Sequence, residues 1–176
     1  MSHFVVPNHI VVGKGVLNEA APLLKEMGRK AFIVTGRYIA VSDMMKKLTA
    51  LLDEEGIGYV IFNGITGEPD DVMINNGVKM LKEYDCDFII GIGGGSPLDS
   101  AKAIAAMAVN KGSIADFSGK EITGEILPLA AIPTTAGTGS EATKFTVITD
   151  SKKQIKMLLK GDVLIPKLAI VDSEFT

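Results

Sequence analysis

The segment FIIGIGGGSPLDSAKAIAAM, residues 88–107, constrains this chain more than any other. An apolar, strand-like run enters Gly93, Gly94 and Gly95, then Ser96, and a helix is predicted from Pro97 to Val109. Glycine permits close backbone approach and positive φ, serine is a good N-cap, and proline suits the first helical position. The helix behind the turn carries Ala101, Ala103, Ala105, Ala106 and Ala108, small residues that let it lie close on a sheet and aim its N-terminus. Free N–H groups and the positive end of the peptide dipole make such an N-terminus an anion cradle, with a diphosphate as its natural guest. As a bare pattern, Gly91-x-Gly93-x-x-Ser96 has Ser where the dinucleotide fingerprint has its last Gly or Ala, and it follows a later strand than the first. A tight strand-to-helix turn without ligand therefore stands as the second reading of these residues.

The same alternation runs through the chain. Leu17, Ala20, Ala21, Leu24 and Met27 recur at helical spacing and predict a helix over 16–27, stopped by Gly28. KAFIVTG is a strand closed by Gly36, and Val41, Met44, Met45, Leu48, Leu51 and Leu52 mark the helix after it, with Ser42 as cap. Gly56 and Gly58 break that helix before strand YVIFN, and Asp70 caps another whose expected inner face is Met73, Gly77, Met80, Leu81 and Tyr84. Strands that read as continuous apolar runs are buried on both faces, and amphipathic helices between them imply right-handed crossovers. The fold class is thus α/β: a doubly wound, mostly parallel Rossmann-like sheet with helices on both faces. LPLAAIP, KFTVITD, IKMLL and LAIVD are further short strands joined by turns. LAIVD either ends the domain as an edge strand or stands where the chain has been cut. At 176 residues, 47% hydrophobic and 22% charged, the chain fits one globular domain, residues 1–176.

Several chemistries are excluded on residue types. With 18 Lys and Arg against 21 Asp and Glu and no basic stripe, no nucleic-acid partner is expected. No apolar run approaches the roughly 18 residues of a spanning helix, and no export signal opens the sequence, so no membrane partner is expected either. The lone Cys86 makes neither an internal disulfide nor a thiolate cage, which fits a reducing, cytoplasmic setting. There is no phosphate-binding G-x-x-x-x-G-K-[ST] run and no G-x-S-x-G elbow, and the histidines are His3 and His9, before the first helix. Asp70-Asp71 and Glu54-Glu55 lie where helix caps and solvated faces place carboxylates.

A second loop, AAIPTTAGTGSEATKFTVITD, gathers Thr134, Thr135, Gly137, Thr138, Gly139, Ser140 and Thr143 between strand-like runs. Its hydroxyls and free backbone suit ribose and phosphate oxygens, or cap the turn itself. Two such loops after apolar strands of one α/β domain favour a nucleotide crevice at the carboxyl ends of the strands.

At GGGSPLDSAKAIA and PTTAGTGSEAT the sequence resembles the iron-containing (group III) alcohol dehydrogenases, and FVVPNHIVVGKGVLNEA and KMLLKGDVLIPKLAIVD fit that family too. The resemblance implies an N-terminal dinucleotide-binding domain. It also implies a helical C-terminal domain, absent from this chain, that holds Fe2+ or another divalent metal through one Asp and three His. It places the pyrophosphate on Gly94, Gly95 and Ser96, with Asp99 near the nicotinamide side. Thr134, Thr135, Gly137 and Thr138 would line the dinucleotide, Thr143 and Phe145 its nicotinamide half, and Lys156 would reach the ribose. Gly36 stands where NAD-preferring members carry an acidic residue at the adenosine ribose; with Arg37 beside it, NADP is expected over NAD. Glu68 of GEPDD stands where many relatives have Asn. The resemblance implies a hydride-transferring oxidoreductase acting on a primary alcohol and aldehyde pair. The chain alone would carry no catalytic or metal-ligating residue and would bind cofactor without turnover. A stand-alone nucleotide-binding or sensing module is the alternative. A homo-oligomer is expected, with apolar surface left bare on the cleft side.

Overall fold

The structure, a computed structural model, describes residues 5–176; His3 lies outside the described residues. Six strands form one parallel sheet in the order β1-β8-β5-β4-β2-β3. They are β1 His9–Gly13, β2 Lys30–Val34, β3 Gly58–Phe62, β4 Phe88–Gly93, β5 Leu129–Pro133 and β8 Leu168–Asp172. The helices are α1 Ala21–Met27, α2 Arg37–Ala40, α3 Asp43–Glu54, α4 Asp71–Glu83 and α5 Gly95–Val109. The chain steps outward from β2 to β3 and then crosses back over β2 to reach β4. Right-handed crossovers in opposite directions require helices on opposite faces. Side chains of β4 divide accordingly: Phe88, Ile90 and Ile92 pack with Leu24, Leu48 and Leu52 of α1 and α3, while Ile89 packs with Ile74, Leu81 and Ile104 of α4 and α5. The doubly wound α/β arrangement expected from the strand and helix alternation is the one found.

Two caps fall where the sequence placed them: Ser42 accepts from the Met45 N–H, and Asp70 from the Met73 N–H at 2.8 Å. Other expectations are corrected. The helix over 16–27 is split into a 3-10 turn, Asn18–Ala20, and α1, because Pro22 has no N–H to donate back to the first turn. Helix α5 begins at Gly95, two residues before Pro97, and its cap is Gly94 without a side-chain bond, so Ser96 lies inside the first turn. Gly93, at φ 145°, makes a turn that glycine permits, and Gly94, still extended, caps the helix two residues earlier than the proline signal suggested. The buried face of α4 is Ile74, Gly77 and Leu81; Tyr84 is exposed and serves as C-cap, and Val41 is exposed ahead of the Ser42 cap. LAIVD is not an edge strand: β8 lies between β1 and β5 and pairs with both, since the first strand of the chain returns to cover it.

The remaining strands, β6 Phe145–Asp150 and β7 Ile155–Lys160, form an antiparallel hairpin outside the main sheet. Thr149 N–H donates to Pro69 O at 2.8 Å, and Asp71 Oδ1 accepts from Ser151 N–H at 2.8 Å, so the hairpin is fastened to the start of α4. Among the described residues no helix is long and apolar enough to cross a membrane.

Candidate functional site

The strand order reverses between β2 and β4, and open α/β sheets take ligands outside the carboxyl ends of the strands at such a point. The strand ends are held in step there: Thr35, fully buried after β2, donates its hydroxyl to Ile92 O of β4 at 2.8 Å. Beyond that bond the chain reaches Gly36 from β2 and Gly93–Gly95 from β4. The N–H groups of Gly95 and Ser96 sit in the first turn of α5, where no intrahelical acceptor exists. Helix α5 lies so close on β4 that a Cβ on Gly91 would come within 2.8 Å of the Ala101 Cβ, which is why a strand glycine and a helix alanine face each other.

The threonine- and glycine-rich loop arrives against this turn from β5. Thr134 N–H donates to Gly93 O at 2.9 Å, and Cβ atoms on Gly94 and Gly95 would lie 3.5 Å from the Thr135 side chain and 3.2 Å from Thr138 Cγ2. Gly94, Gly95, Ser96, Thr134, Thr135 and Thr138 therefore converge on one end of the sheet. Thr135 to Thr138 are exposed, and Gly137 has φ 133°, in the region that favours glycine.

Asp99 lies one turn along α5. Its Oδ2 accepts from Val147 N–H at 2.9 Å, and its carbonyl accepts from Thr146 Oγ1 at 2.8 Å. Burial pushes the Asp99 carboxyl up from its ordinary range, against the bond from Val147. Thr143 is half-buried and Phe145 exposed at the start of β6. Gly36 caps the short α2 in extended geometry, with Arg37 exposed beside it and unpaired with any carboxylate among the described residues. Lys156 stands apart from the others: it pairs across the hairpin with Thr149, toward the hairpin turn, and its ammonium lies 2.6 Å from Glu68 Oε1 in an exposed ion pair.

One participant was not singled out from the sequence. Lys102 is fully buried, and its Nζ donates to Thr143 O at 2.6 Å, Thr143 Oγ1 at 3.2 Å and Phe145 O at 2.9 Å. Burial pushes its pKa down to about 8, opposed by Asp99 and Glu141. The available signal was a lone lysine between Ala101 and Ala103 on a helix otherwise fit for burial. For a metal, no group of three or more His, Cys, Asp or Glu side chains is gathered among the described residues.

The iron-containing alcohol dehydrogenase family model matches residues 7–173. The chain is 38% identical over 176 residues to the NAD-dependent methanol dehydrogenase of Bacillus methanolicus, covering 99% of this chain and 46% of that protein. It is 40% identical to alcohol dehydrogenase 4 of Schizosaccharomyces pombe, covering 99% of this chain and 42% of that one. A crystal structure of 1,3-propanediol oxidoreductase superposes with a TM-score of 0.96 at 30% identity, covering 100% of this chain and 47% of that chain. Sulfoacetaldehyde reductase from Bifidobacterium kashiwanohense, solved in complex with NAD+, does so with a TM-score of 0.92 at 32% identity, with coverages of 100% and 47%. The chain thus spans about half the length of the curated relatives it matches. Matched almost from end to end in sequence and in fold, it belongs to the iron-containing alcohol dehydrogenase family.

Proposed function

We propose that residues 1–176 form the dinucleotide-binding domain of an iron-type alcohol dehydrogenase and that the domain holds NADP in preference to NAD. The observation that carries this reading is the meeting of two loops, 93–96 and 134–140, at the carboxyl ends of the adjacent strands β4 and β5, beside the point between β2 and β4 where the strand order reverses. A pyrophosphate fits there, because Gly94 and Gly95 leave the backbone N–H groups of the α5 N-terminus open to an anion and the threonine hydroxyls add donors beside them.

In this reading Gly94, Gly95 and Ser96 hold the pyrophosphate, and Thr134, Thr135, Gly137 and Thr138 line it. Asp99, Thr143 and Phe145 border the nicotinamide half. Lys156 serves the ribose by exchanging Glu68 for a ligand oxygen, a small change because exposed ion pairs are worth only about 0–1 kcal/mol. Gly36 leaves room and no negative charge at the adenosine 2′ position, and Arg37 supplies a cation that a 2′-phosphate would recruit. The nicotinamide supplies hydride transfer to and from a small alcohol or aldehyde in the whole protein. His9 is the one histidine among the described residues, and no metal-ligand group gathers around it, so this domain orients the cofactor and does not turn over alcohol alone. Self-association and a cytoplasmic setting complete the proposal.

Calorimetric titration with NADPH and NADH tests it, alongside a Ser96→Asp variant that sets a negative charge in the cradle. The expected result is tighter binding of NADPH than NADH and loss of both in the variant. Binding of neither nucleotide by the unmodified chain would remove the reading, and tighter NADH would remove the preference.

A further inference from the structure

We propose that Lys102 is a positioning residue of the crevice: its buried ammonium ties the exit of the threonine- and glycine-rich loop to helix α5, so that the loop is ordered before the dinucleotide arrives. This inference rests on the cofactor-binding reading above.

A lysine with no exposed surface is rare unless its charge is compensated, and Lys102 forms none of the ion pairs among the described residues. Its three protons instead meet three oxygens, and all three belong to one short stretch: Thr143 O, Thr143 Oγ1 and Phe145 O. The two carbonyls flank Lys144, so the bonds fix the backbone where the loop turns into β6. Gly95, Asp99 and Lys102 follow at i, i+4 and i+7 along one stripe of α5. That stripe therefore carries the cradle, the carboxylate that takes Val147 N–H, and the ammonium that takes Thr143 and Phe145. Between its two ends the loop has little else to hold it. Its inner bonds are Ala142 N–H to Gly139 O and Ser140 N–H to Thr138 Oγ1, and Gly137 and Gly139 add backbone freedom. Its entrance is fixed by Thr134 N–H on Gly93 O, and its exit by Lys102. Without the ammonium, binding must order the loop and leave two partly buried carbonyls short of a donor.

The charged groups acting on Lys102 are Asp99 on its own helix and Glu141 on the loop. Strands β4 and β5 bring no titratable side chain, and Asp150 of β6 stands at the opposite end of that strand from Phe145. Asp162, on the 3-10 turn packed near α5, is paired with Lys144, and α4 meets α5 through Ile74, Gly77 and Leu81. Burial lowers the Lys102 pKa to about 8, so the ammonium is complete below that pH and one donor is lost above it.

The test compares the wild-type chain with Lys102→Met by NADPH titration across pH and by hydrogen exchange of residues 134–147 without nucleotide. The expected results are a Kd about tenfold weaker in Lys102→Met and faster amide exchange confined to the loop. Wild-type affinity should fall as pH rises through about 8 while the variant stays flat, a difference that a general loss of stability would not produce. An affinity within about twofold of wild type together with unchanged loop exchange would overturn the proposal. If the wild-type chain binds no dinucleotide yet loop exchange still quickens in the variant, the cofactor reading falls and the anchoring stands. If Lys102→Met does not fold, the wild-type profile decides, and affinity that stays level from about pH 6.5 to about pH 9.5 would overturn it.

Discussion

A Gly36→Asp substitution gives the sharpest test of cofactor preference. Gly36 has φ −92° and caps α2, so the backbone accepts an aspartate, which is a favoured N-cap residue. Its Cβ would meet Ile65 O at 3.2 Å, and that neighbour must give by a few tenths of an ångström. Both nucleotides bear this cost equally, so it cancels in the ratio of their dissociation constants. What remains is the carboxylate itself. At about 5 Å from a 2′-phosphate, it repels each unit of charge by about 1–3 kcal/mol for effective dielectric constants between about 20 and 80. Toward NADH it accepts a hydrogen bond from the 2′-hydroxyl, worth about 1 kcal/mol net. Counting a single unit of phosphate charge, these together shift the preference toward NADH by at least about 2–4 kcal/mol, or roughly 30-fold to 1,000-fold. Fluorescence titrations with both reduced nucleotides read the ratio directly, and added salt should shrink the shift because the site is exposed. A ratio that moves by less than about threefold would refute the placement of the adenosine ribose beside Gly36.

Two further substitutions test the scaffold. Gly91→Ala places a methyl 2.8 Å from the Ala101 Cβ and 3.2 Å from Leu98 Cδ2, so α5 must lift from β4; urea denaturation should show a loss of about 1–3 kcal/mol, with weaker nucleotide binding as the cradle moves. Asp172, almost fully buried, accepts from Gly15 N–H at 2.8 Å, Leu17 N–H at 3.2 Å and Glu174 N–H at 3.0 Å; Asp172→Asn turns a donor toward one of these donors and should cost about 2–4 kcal/mol by the same measurement. Burial raises the Asp172 pKa, but the backbone bonds, with a smaller contribution from Lys47, outweigh it and hold the carboxyl below its ordinary range. Its stabilisation is therefore complete above about pH 4 and is lost as pH falls through the lowered folded value. Wild type should show that acid-side slope and the Asn variant should lack it.

What could be read from the sequence is what rests on neighbours in the chain. Ser42 and Asp70 cap their helices because the bonded N–H groups lie three residues ahead, and the buried runs of β4 and β5 declare strands closed in on both faces. The strand, glycine turn and helix of residues 88–109 were legible for the same reason, since the glycines, the proline and the alanine-rich run are contiguous. The first residue of α5 was missed because a backbone angle at Gly93, not a residue type, sets it. Strand order, the interior place of β8 and the docking of the β6–β7 hairpin depend on pairings between residues far apart in the chain. Lys102 belongs to that second group. Its acceptors lie 41 and 43 residues away, and only when the sheet sets α5 beneath the exit of the loop does a lysine among alanines gain a reason to be buried. Local patterning determined the parts, the glycine turn and the alanine-rich helix among them; the tertiary structure decided which loops meet there and what holds them, because hydrogen bonds between distant segments exist only once the sheet is assembled.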